Sequence, residues 1–459
     1  MTTTDQSTAA ARLDRLPILR FHKRLFALVS GGLFIDNFDI YIAGAVLAVL
    51  LQSNWSSLEL NATFISATYT GMLMGTVLAG IAADRYGRKL TFQLNLAIFG
   101  LASIACALAP NIHFLIVARF VCGVGLGAEL VVGYSTLAEF TPPHKRGKWQ
   151  TLMSMVSSFG LLASTLLSFF LIPAFGWQVM FWIPGLAALY ILWLRKAIPE
   201  SPRWLEVRGR RAEADAILRE IESEALAQGI ALPAPQPSRQ RPVEMLASRK
   251  FLKPLILGTV LQVVMFTALY GLVNWIPTFL TKQGMSLNQS LGQTAFMTLG
   301  GPAGAFIAQA LTDRLGRRRS IIFGSVIAAA LAVAFGQVAS PLAATLVGFA
   351  TFTATFFLLA TIQALYLPEL FPTEVRMRCN AICLGIARVS SIIAPFGIVM
   401  LFERGGFSSV VTAIAVLFLL QAAVILFFGI ETSKRSIDEI IDDLDASVAS
   451  AGNRITSMR

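Results

Sequence analysis

The chain has 459 residues, of which 55% are hydrophobic and only 14% are charged. Soluble globular domains are about 45–50% apolar and about 25% charged, so this composition argues against a soluble fold, a nucleic-acid-binding domain and a disordered chain. The 37 basic and 26 acidic residues give a formal charge of +11, and their positions decide what that charge means.

Twelve apolar stretches are long enough to cross a bilayer, whose roughly 30 Å core requires about 20 apolar residues per helix. In chain order the predicted spans are 25–50, 61–82, 90–109, 112–138, 150–172, 178–195, 254–280, 291–312, 320–339, 342–366, 380–402 and 407–430. The sequence therefore predicts an all-α membrane protein with twelve transmembrane helices in two pseudo-symmetric six-helix bundles. The predicted regions are an N-terminal tail (1–24), a first bundle (25–196), a linker (197–253), a second bundle (254–430) and a C-terminal tail (431–459).

The basic residues orient these spans. With the N-terminus in the cytoplasm, 33 of the 37 Lys and Arg lie in cytoplasmic segments, and the outer loops hold only Lys282 and Arg404. This distribution satisfies the positive-inside rule, so we expect both tails to be cytoplasmic and the positive charge to face anionic lipid headgroups. Residues 1–24 are polar and basic and do not resemble a cleavable signal peptide. The short outer loops and many alanines indicate a bacterial inner membrane.

The linker contains a charge-rich amphipathic stretch from Arg210 to Gln228, which predicts a helix lying under the membrane. A segment with Pro233, Pro235 and Pro237 follows it. A plain cytoplasmic linker and a regulatory element both fit this composition.

Two motifs recur in the second half of the chain. The segment Asp84 to Lys89 (DRYGRK) recurs there as Asp313 to Arg318 (DRLGRR). Glu139, Pro142 and Arg146 recur at nearly the same offset, as Glu369, Pro372 and Arg376. Two separate motifs at nearly one offset indicate duplicated halves of six helices each.

The charges in these loops can hold the inner ends of helices together. Gly87 and Gly316 allow tight turns, and the flanking arginines can pair with the glutamates of the second motif. The candidate gating residues are Asp84, Arg85, Arg88, Glu139 and Arg146 in the first half and Asp313, Arg314, Arg317, Glu369 and Arg376 in the second. They form a gate if their pairs break when the helices move, and a static structural contact if they do not.

These and further motifs resemble those of the major facilitator superfamily. Gly80 to Lys89 (GIAADRYGRK) is similar to its signature, and Arg119 to Gly127 (RFVCGVGLG) resembles its fourth-helix motif. Pro199 to Leu205 (PESPRWL), Pro368 to Thr373 (PELFPT) and Glu431-Thr432 are similar to its sugar-porter and organic-ion branch. The resemblance covers nearly the whole chain and implies two bundles around a central cavity that work by alternating access.

Five ionisable side chains lie well inside predicted spans, where a charge costs several kcal/mol and marks a functional candidate. They are Asp36, Asp39, Arg119, Glu129 and Arg388. At about 1.5 Å per residue, Asp39 lies about 21 Å and Arg119 about 19 Å from the cytoplasmic side, so the two side chains are predicted to lie at one level. In the proton-coupled relatives that this chain resembles, an acid and an arginine face each other at these positions.

We therefore predict proton coupling at Asp39, with Arg119 as its partner. Asp36 lies one turn away on the same helix face, and the two acids resemble the first helix of aromatic-acid and related metabolite:proton symporters. A permanently paired structural Asp39–Arg119 bridge is the alternative. Glu129 is either a second proton site or the partner of a charge on a neighbouring helix.

Arg388 breaks the repeat, since Ser158 occupies the corresponding position in the first half. An arginine inside a span can bind a carboxylate through two hydrogen bonds. In the organic-ion transporters that this chain resembles, an arginine at this position accompanies anions. We therefore expect an anionic substrate; a structural arginine capped by backbone carbonyls is the alternative.

The seventh span differs from that of sugar porters, in which paired glutamines hold sugar hydroxyls. Val264 and Met265 occupy those positions here, which disfavours a sugar. The other substrate-binding candidates, on a mostly apolar wall, are Gln262, Tyr270, Asn274, Trp275 and Gln363. Such walls suit flat or partly apolar ligands, and the segment Asn274 to Thr278 resembles aromatic-acid symporters. For Trp275, packing or a place in the interfacial aromatic belt is the alternative.

Together these features predict a secondary active transporter that moves a small carboxylate or aromatic acid by alternating access, coupled to proton symport. Its expected partners are the organic-acid substrate, protons and the lipid bilayer, with no nucleic acid, and a monomer is expected. No enzymatic activity, cofactor or metal site is expected from four Cys and three His without ligand spacing. The alternatives are a proton-driven exporter, a sugar uptake protein and a nutrient receptor that transports nothing.

Overall fold

The computed structural model of the chain describes residues 8–196, 198–234, 251–338, 340–371 and 375–432. Parts of several predictions lie outside these residues, namely Pro235 and Pro237 of the linker, Pro372 and Thr373 of the repeated motif, and most of the C-terminal tail. Within the described part every regular element is helical and no β-strand occurs, which confirms the predicted all-α class.

The first six predicted spans coincide with six long helices. After a short α1 (Ala9–Asp14), these are α2 (Arg20–Gln52), α3 (Leu58–Tyr86), α4 (Arg88–Ala107), α5 (Ile112–Phe140), α6 (Pro143–Phe175) and α7 (Val179–Arg195). Two shorter helices follow, α8 (Pro202–Val207) and α9 (Arg211–Ala227). Helix α9 coincides with the amphipathic stretch predicted in the linker.

The last six predicted spans are also helical, but their helices are broken and joined differently. The elements are α10 (Leu252–Val273), α11 (Ile276–Lys282), α12 (Leu287–Thr298), α13 (Gly300–Leu315), α14 (Arg317–Gln337), α15 (Pro341–Ala360), a π-helical turn (Thr361–Tyr366), α16 (Leu367–Glu369) and α17 (Arg376–Phe428). The seventh span is divided between α10 and α11, and the eighth between α12 and α13.

In the described part, nine helices are long and apolar enough to cross a membrane by themselves. The difference from twelve has three physical causes. Helix α7 has only 17 residues, the eighth span is broken at Leu299, and the last two spans run together in α17. Gly405 and Gly406 interrupt α17 with non-helical backbone, and Gly406 has a φ of +67° that a glycine adopts without strain. The chain is therefore consistent with twelve crossings.

By its internal contacts the chain divides into two compact units, Met1–Val46 with Ala67–Gln240 and Leu47–Ser66 with Arg241–Arg459. In the first unit, α9 packs against α1 and the start of α2. Leu218 and Ile221 of α9 are buried in one apolar cluster with Leu13 and Leu25. The protein itself therefore covers the apolar face of α9, and the place of this helix under the membrane stays a prediction.

Charged side chains complete the contact between α1 and α9. Arg12 binds Glu222 and Asp215, each at 2.7 Å, and Arg15 binds Glu222 at 2.8 Å. Burial alone would raise the pKa of Glu222, but the hydrogen bonds from the two arginines outweigh it and lower that pKa. The N-terminal segment is thus attached to the linker helix by both apolar packing and ion pairs.

Candidate functional site

The first charged loop motif is centred on Arg88, the first residue of α4. Its Nε donates to Glu139 Oε1 at 3.0 Å, and its Nη1 donates to Asp84 Oδ1 at 2.9 Å. The carboxylate of Glu200 accepts hydrogen bonds from the backbone N–H groups of Arg88 at 2.9 Å and Lys89 at 3.2 Å. Because the first N–H groups of a helix have no intrahelical partner and carry partial positive charge, a carboxylate stabilises them. These contacts join α3, α4, α5 and the loop before α8.

The second motif has the same geometry in the other unit. Arg317, the first residue of α14, binds Glu369 at 3.1 Å and Asp313 at 2.5 Å. Glu431 accepts hydrogen bonds from the backbone N–H groups of Arg317 at 2.9 Å and Arg318 at 3.2 Å. The repeat found in the sequence is therefore a repeat of ion pairs and helix caps.

Four of the predicted gating residues lie outside these two clusters. Arg146 and Arg376 each donate to a backbone carbonyl oxygen of the preceding loop, at 3.3 and 3.2 Å, and cap the loop from which they come. Arg85 and Arg314 are exposed at the surface. Arg146 also forms an ion pair with Asp14 at 3.8 Å. The gating role of these four residues stays a prediction.

The two capping glutamates, Glu200 and Glu431, were absent from the predicted site, although both belong to motifs that carried the family resemblance. Their separation along the chain is close to that of the other repeated motifs and is a signal that could have found them. Gly87 and Gly316 precede the capped helices with φ of +99° and +86°. These left-handed turns, which glycine adopts easily, bring the helix starts to the carboxylates.

The predicted Asp39–Arg119 pair is present inside the first unit. Arg119 Nη1 lies 2.5 Å from Asp39 Oδ2, and the two side chains are 0% (Asp39) and 1% (Arg119) exposed. Cys122 Sγ lies 3.7 Å from both partners. The pair is therefore closed off from solvent in this conformation, and its carboxylate is held by a cation at hydrogen-bond distance.

The glycines of the fourth-helix motif explain how Arg119 is positioned. A Cβ atom on Gly127 would overlap the backbone carbonyl oxygen of Met72, and one on Gly123 would overlap that of Thr68. These glycines thus let the backbones of α5 and α3 touch, at a distance that no other residue permits. The close contact fixes the depth and rotation of α5, and with them the position of the arginine.

A second buried charge cluster contains one arginine that was absent from the predicted site residues. Arg195, the last residue of α7, is only 3% exposed, and its Nη1 lies 3.4 Å from Glu129 Oε1. Because helical side chains lean toward the helix N-terminus, a terminal residue can reach back into the bundle. Asp36, 1% exposed, lies beside Glu129 in the same cluster.

The substrate-binding candidates lie in the second unit, and two of them are neighbours. Tyr270 of α10 lies within electrostatic range of Arg388 of α17 and packs against Phe266, with ring centroids 5.4 Å apart. Gln262 is 0% exposed, and neither polar atom of its amide has a hydrogen-bond partner among the described residues. Gln363 lies in the π-helical turn, a geometry often found at functional sites.

Trp275 and Asn274 are both 1% exposed, at the break between α10 and α11. The ring of Trp275 stacks on Phe279, which in turn stacks on Phe402 with centroids 4.5 Å apart. This tryptophan is therefore part of an aromatic core in the second unit. Among the described residues, no group of three His, Cys, Asp or Glu side chains could hold a metal ion.

The family match and the similar relatives both point to one family of membrane transporters. Residues 25–444 match the family described as sugar (and other) transporter. The chain is 34% identical to an inner membrane metabolite transport protein of Escherichia coli K12, over 94% of this chain and 97% of the relative. It is 33% identical to a niacin transporter of Acinetobacter baylyi, over 94% and 99% of the two chains.

A search of solved structures supports the fold. The crystal structure of a D-xylose–proton symporter superposes with a TM-score of 0.72, covering 91% of this chain and all of that one, at 20% identity. This likeness concerns the fold alone. Together with the twofold repeat of charged loops, the comparisons show that the chain belongs to the sugar (and other) transporter family of the major facilitator superfamily, and that it is a multi-pass membrane transporter rather than an enzyme.

Proposed function

We propose that this protein takes up a small aromatic or heteroaromatic carboxylate together with protons. The observation that carries the proposal is the Asp39–Arg119 pair, joined at 2.5 Å and closed off from solvent. A buried carboxylate is stable as an anion only while a cation compensates it. A conformational change that draws Arg119 away would therefore make Asp39 bind a proton, and its return would release that proton.

The substrate side of the proposal rests on Arg388 and the residues near it. The guanidinium group of Arg388, within electrostatic range of Tyr270, offers several donors to a carboxylate, and the ring of Phe266 beside Tyr270 provides an apolar surface for a flat ligand. The unpartnered amide of Gln262 offers one more donor and acceptor. Niacin, which one relative is named for, is a heteroaromatic carboxylic acid, and this agrees with the proposed chemistry.

The ion pairs of the repeated loops are the proposed gate on the inner side. Each cluster joins the ends of helices that are separate in sequence, through Arg88 in one unit and Arg317 in the other. We propose that the six-helix bundles 25–196 and 254–430 are the moving parts, that both tails are cytoplasmic, and that the protein works as a monomer in a bacterial inner membrane.

The proposal fixes the driving force for a monovalent acid. One carboxylate taken up with one proton carries no net charge, so only the pH difference drives its accumulation. One pH unit is worth about 1.4 kcal/mol, or roughly a tenfold concentration ratio. A second proton would add the membrane potential, about 2.3 kcal/mol per 100 mV.

The first test is uptake by the purified protein in vesicles with an alkaline interior. We expect radiolabelled niacin or 4-hydroxybenzoate to accumulate inside and D-xylose to remain at equilibrium. Accumulation of xylose instead of the acids would overturn the proposed substrate class. If vesicles preloaded with the organic acid release it when the exterior is acidic, and do not take it up, the protein is the proton-driven exporter.

The Arg388→Ala variant tests the carboxylate contact. A hydrogen bond to a charged group contributes about 1.5–3 kcal/mol, so the affinity for the acid should fall roughly 10- to 100-fold. Arg388→Lys keeps the charge and should lose less. Binding of the uncharged nicotinamide, measured in parallel, should change little. An unchanged affinity for the acid in Arg388→Ala would remove Arg388 from the site.

A further inference from the structure

The first unit contains a second buried cluster of charges that the Asp39–Arg119 pair does not explain. Asp36 of α2, Glu129 of α5 and Arg195 of α7 are 1%, 0% and 3% exposed. Arg195 Nη1 binds Glu129, and its Nη2 donates to the carbonyl oxygen of Leu28 at 2.5 Å. The guanidinium carbon lies 3.5 Å from the ring centroid of Phe92. Three helices therefore converge on this cluster, and its arginine is held on several sides.

The backbone is shaped to admit the cluster. Gly32 lies one turn before Asp36 on α2, and a Cβ atom there would collide with Glu129 Oε1 and lie 2.7 Å from Arg195 Nη2. A larger residue at this position would push the ion pair away from α2. The absence of a side chain at Gly32 therefore lets the two partners lie directly against the helix that carries Asp36.

The charges of the cluster do not balance. Two carboxylates and one guanidinium leave a net charge of −1, and Arg119, the other buried arginine among the described residues, binds Asp39. Among the described residues, neither oxygen of Asp36 nor Oε2 of Glu129 has a hydrogen-bond partner. An uncompensated buried charge costs several kcal/mol. One proton would neutralise the cluster and would also let the two neighbouring carboxyl groups hydrogen-bond to each other.

A metal cation fits this arrangement less well than a proton. Sodium and similar ions need several oxygen ligands, whereas Arg195 brings only donors and already occupies one oxygen of Glu129. The Leu28 carbonyl is also taken by Arg195. A proton needs only one oxygen of Asp36 and the remaining oxygen of Glu129, Oε2. The cluster therefore has the composition of a proton site.

A cavity leads from the cluster toward the charged loops. It is lined near the cluster by Val29, Phe92 and Arg195. Arg88 and Lys89, at the start of α4, line it as well. The cavity therefore reaches the Arg195 side of the cluster from the basic loop face, whereas Asp36 and Glu129 are not among its lining residues.

We propose that Asp36, Glu129 and Arg195 form a second proton-binding site, which holds one proton between the two carboxyl groups and exchanges it on the side of the loop face, where the cavity reaches Arg195. The site is separate from Asp39 and does not depend on the role proposed for that residue. We expect the buried cluster to be electrically neutral. The number of protons bound to it then equals the number of its carboxyl groups minus the number of its guanidinium groups. Each substitution in the cluster therefore has a definite expected result.

Infrared difference spectroscopy of the purified protein near pH 7 tests this rule, because a protonated carboxyl group has a C=O band that a carboxylate lacks. The wild type should show one buried carboxyl band, and Asp36→Asn and Glu129→Gln should each lose it. Arg195→Gln should show about twice the wild-type intensity, since both acids must then be protonated. Glu139→Gln is the matched control on the same helix and should keep the wild-type band, because Glu139 lies outside the cluster and binds Arg88.

Two further experiments use the wild-type protein, so neither depends on the folding of a variant. They test whether solvent reaches the bound proton and whether the bound ion is a proton rather than sodium. The band should shift on transfer to D₂O without turnover, and replacing sodium with choline should leave it unchanged. Three results would overturn the proposal. The wild type could lack the band, the band could survive both Asp36→Asn and Glu129→Gln, or it could appear only when sodium is absent. No substrate is present in these measurements, so a negative result would not contradict the proposed coupling at Asp39. A failure of the coupling test at Asp39 would likewise not contradict this second proton site.

Discussion

Replacing Arg119 with glutamine will destabilise the protein by about 3–5 kcal/mol, the usual cost of removing one partner from a buried ion pair. Asp39 is fully buried, and the thiol of Cys122 at 3.7 Å cannot replace a guanidinium group. The remaining carboxylate must then stay uncompensated, take up a proton or force the bundle open. Thermal unfolding in detergent, followed by circular dichroism, should show this loss as a clear fall in Tm.

The double variant Arg119→Gln/Asp39→Asn separates charge from packing. Since it removes both charges, it should recover most of the stability that Arg119→Gln loses. Arg88→Gln is the matched control at a partly exposed pair with Glu139 and should cost no more than about 1 kcal/mol. Equal losses in the single and double variants would mean that packing around Arg119, and not the buried charge, determines the effect.

Replacing Gly127 with leucine will disrupt the contact between α3 and α5, with an expected loss of about 3 kcal/mol or more. Even the Cβ of an alanine at this position would overlap the Met72 carbonyl oxygen, which belongs to the helix backbone and cannot rotate away. Because Arg119 lies two turns earlier on α5, transport should fall together with the yield of folded protein. Size-exclusion profiles and Tm values measure the stability loss directly.

Gly80→Ala is the control for this prediction. A Cβ atom at Gly80 of α3 would meet no atom within 4 Å, and alanine favours a helix by about 1 kcal/mol over glycine. The control should therefore be as stable as the wild type or slightly more so. If Gly127→Leu also kept the wild-type Tm, the fourth-helix motif would need another explanation than close backbone contact.

Much of the fold and the Asp39–Arg119 contact could be predicted because both follow from fixed helical geometry. The constant rise of an α-helix sets the depth of each side chain in a span, and hydropathy alone locates the spans. The break at Gly405 and Gly406 falls between two predicted spans, since glycine pairs are visible in a sequence. The break at Leu299 also has a sequence signal, since Gly300, Gly301 and Pro302 follow it directly, but the predicted span 291–312 runs through it.

The rest of the site depended on side-chain direction and tertiary contacts. Arg195 is the last residue of the predicted sixth span, and its position in the sequence does not show that its long side chain reaches back to Glu129. Glu200 and Glu431 belong to loops, and only the folded chain brings them to the starts of α4 and α14. Arg146 and Arg376 repeat in the sequence as regularly as the paired residues do, so spacing could not show that they bind local carbonyl groups.

Proton movement during substrate entry is the most direct measure of the proposed coupling. When niacin or 4-hydroxybenzoate is added at pH 7 to lightly buffered vesicles without a preset gradient, the external medium should become more alkaline as acid and protons enter together. Vesicles with Asp39→Asn should exchange labelled substrate across the membrane but show no such pH change. If that variant still carries protons with the substrate, or accumulates it as the wild type does, Asp39 is not the coupling residue and the proposed mechanism is wrong.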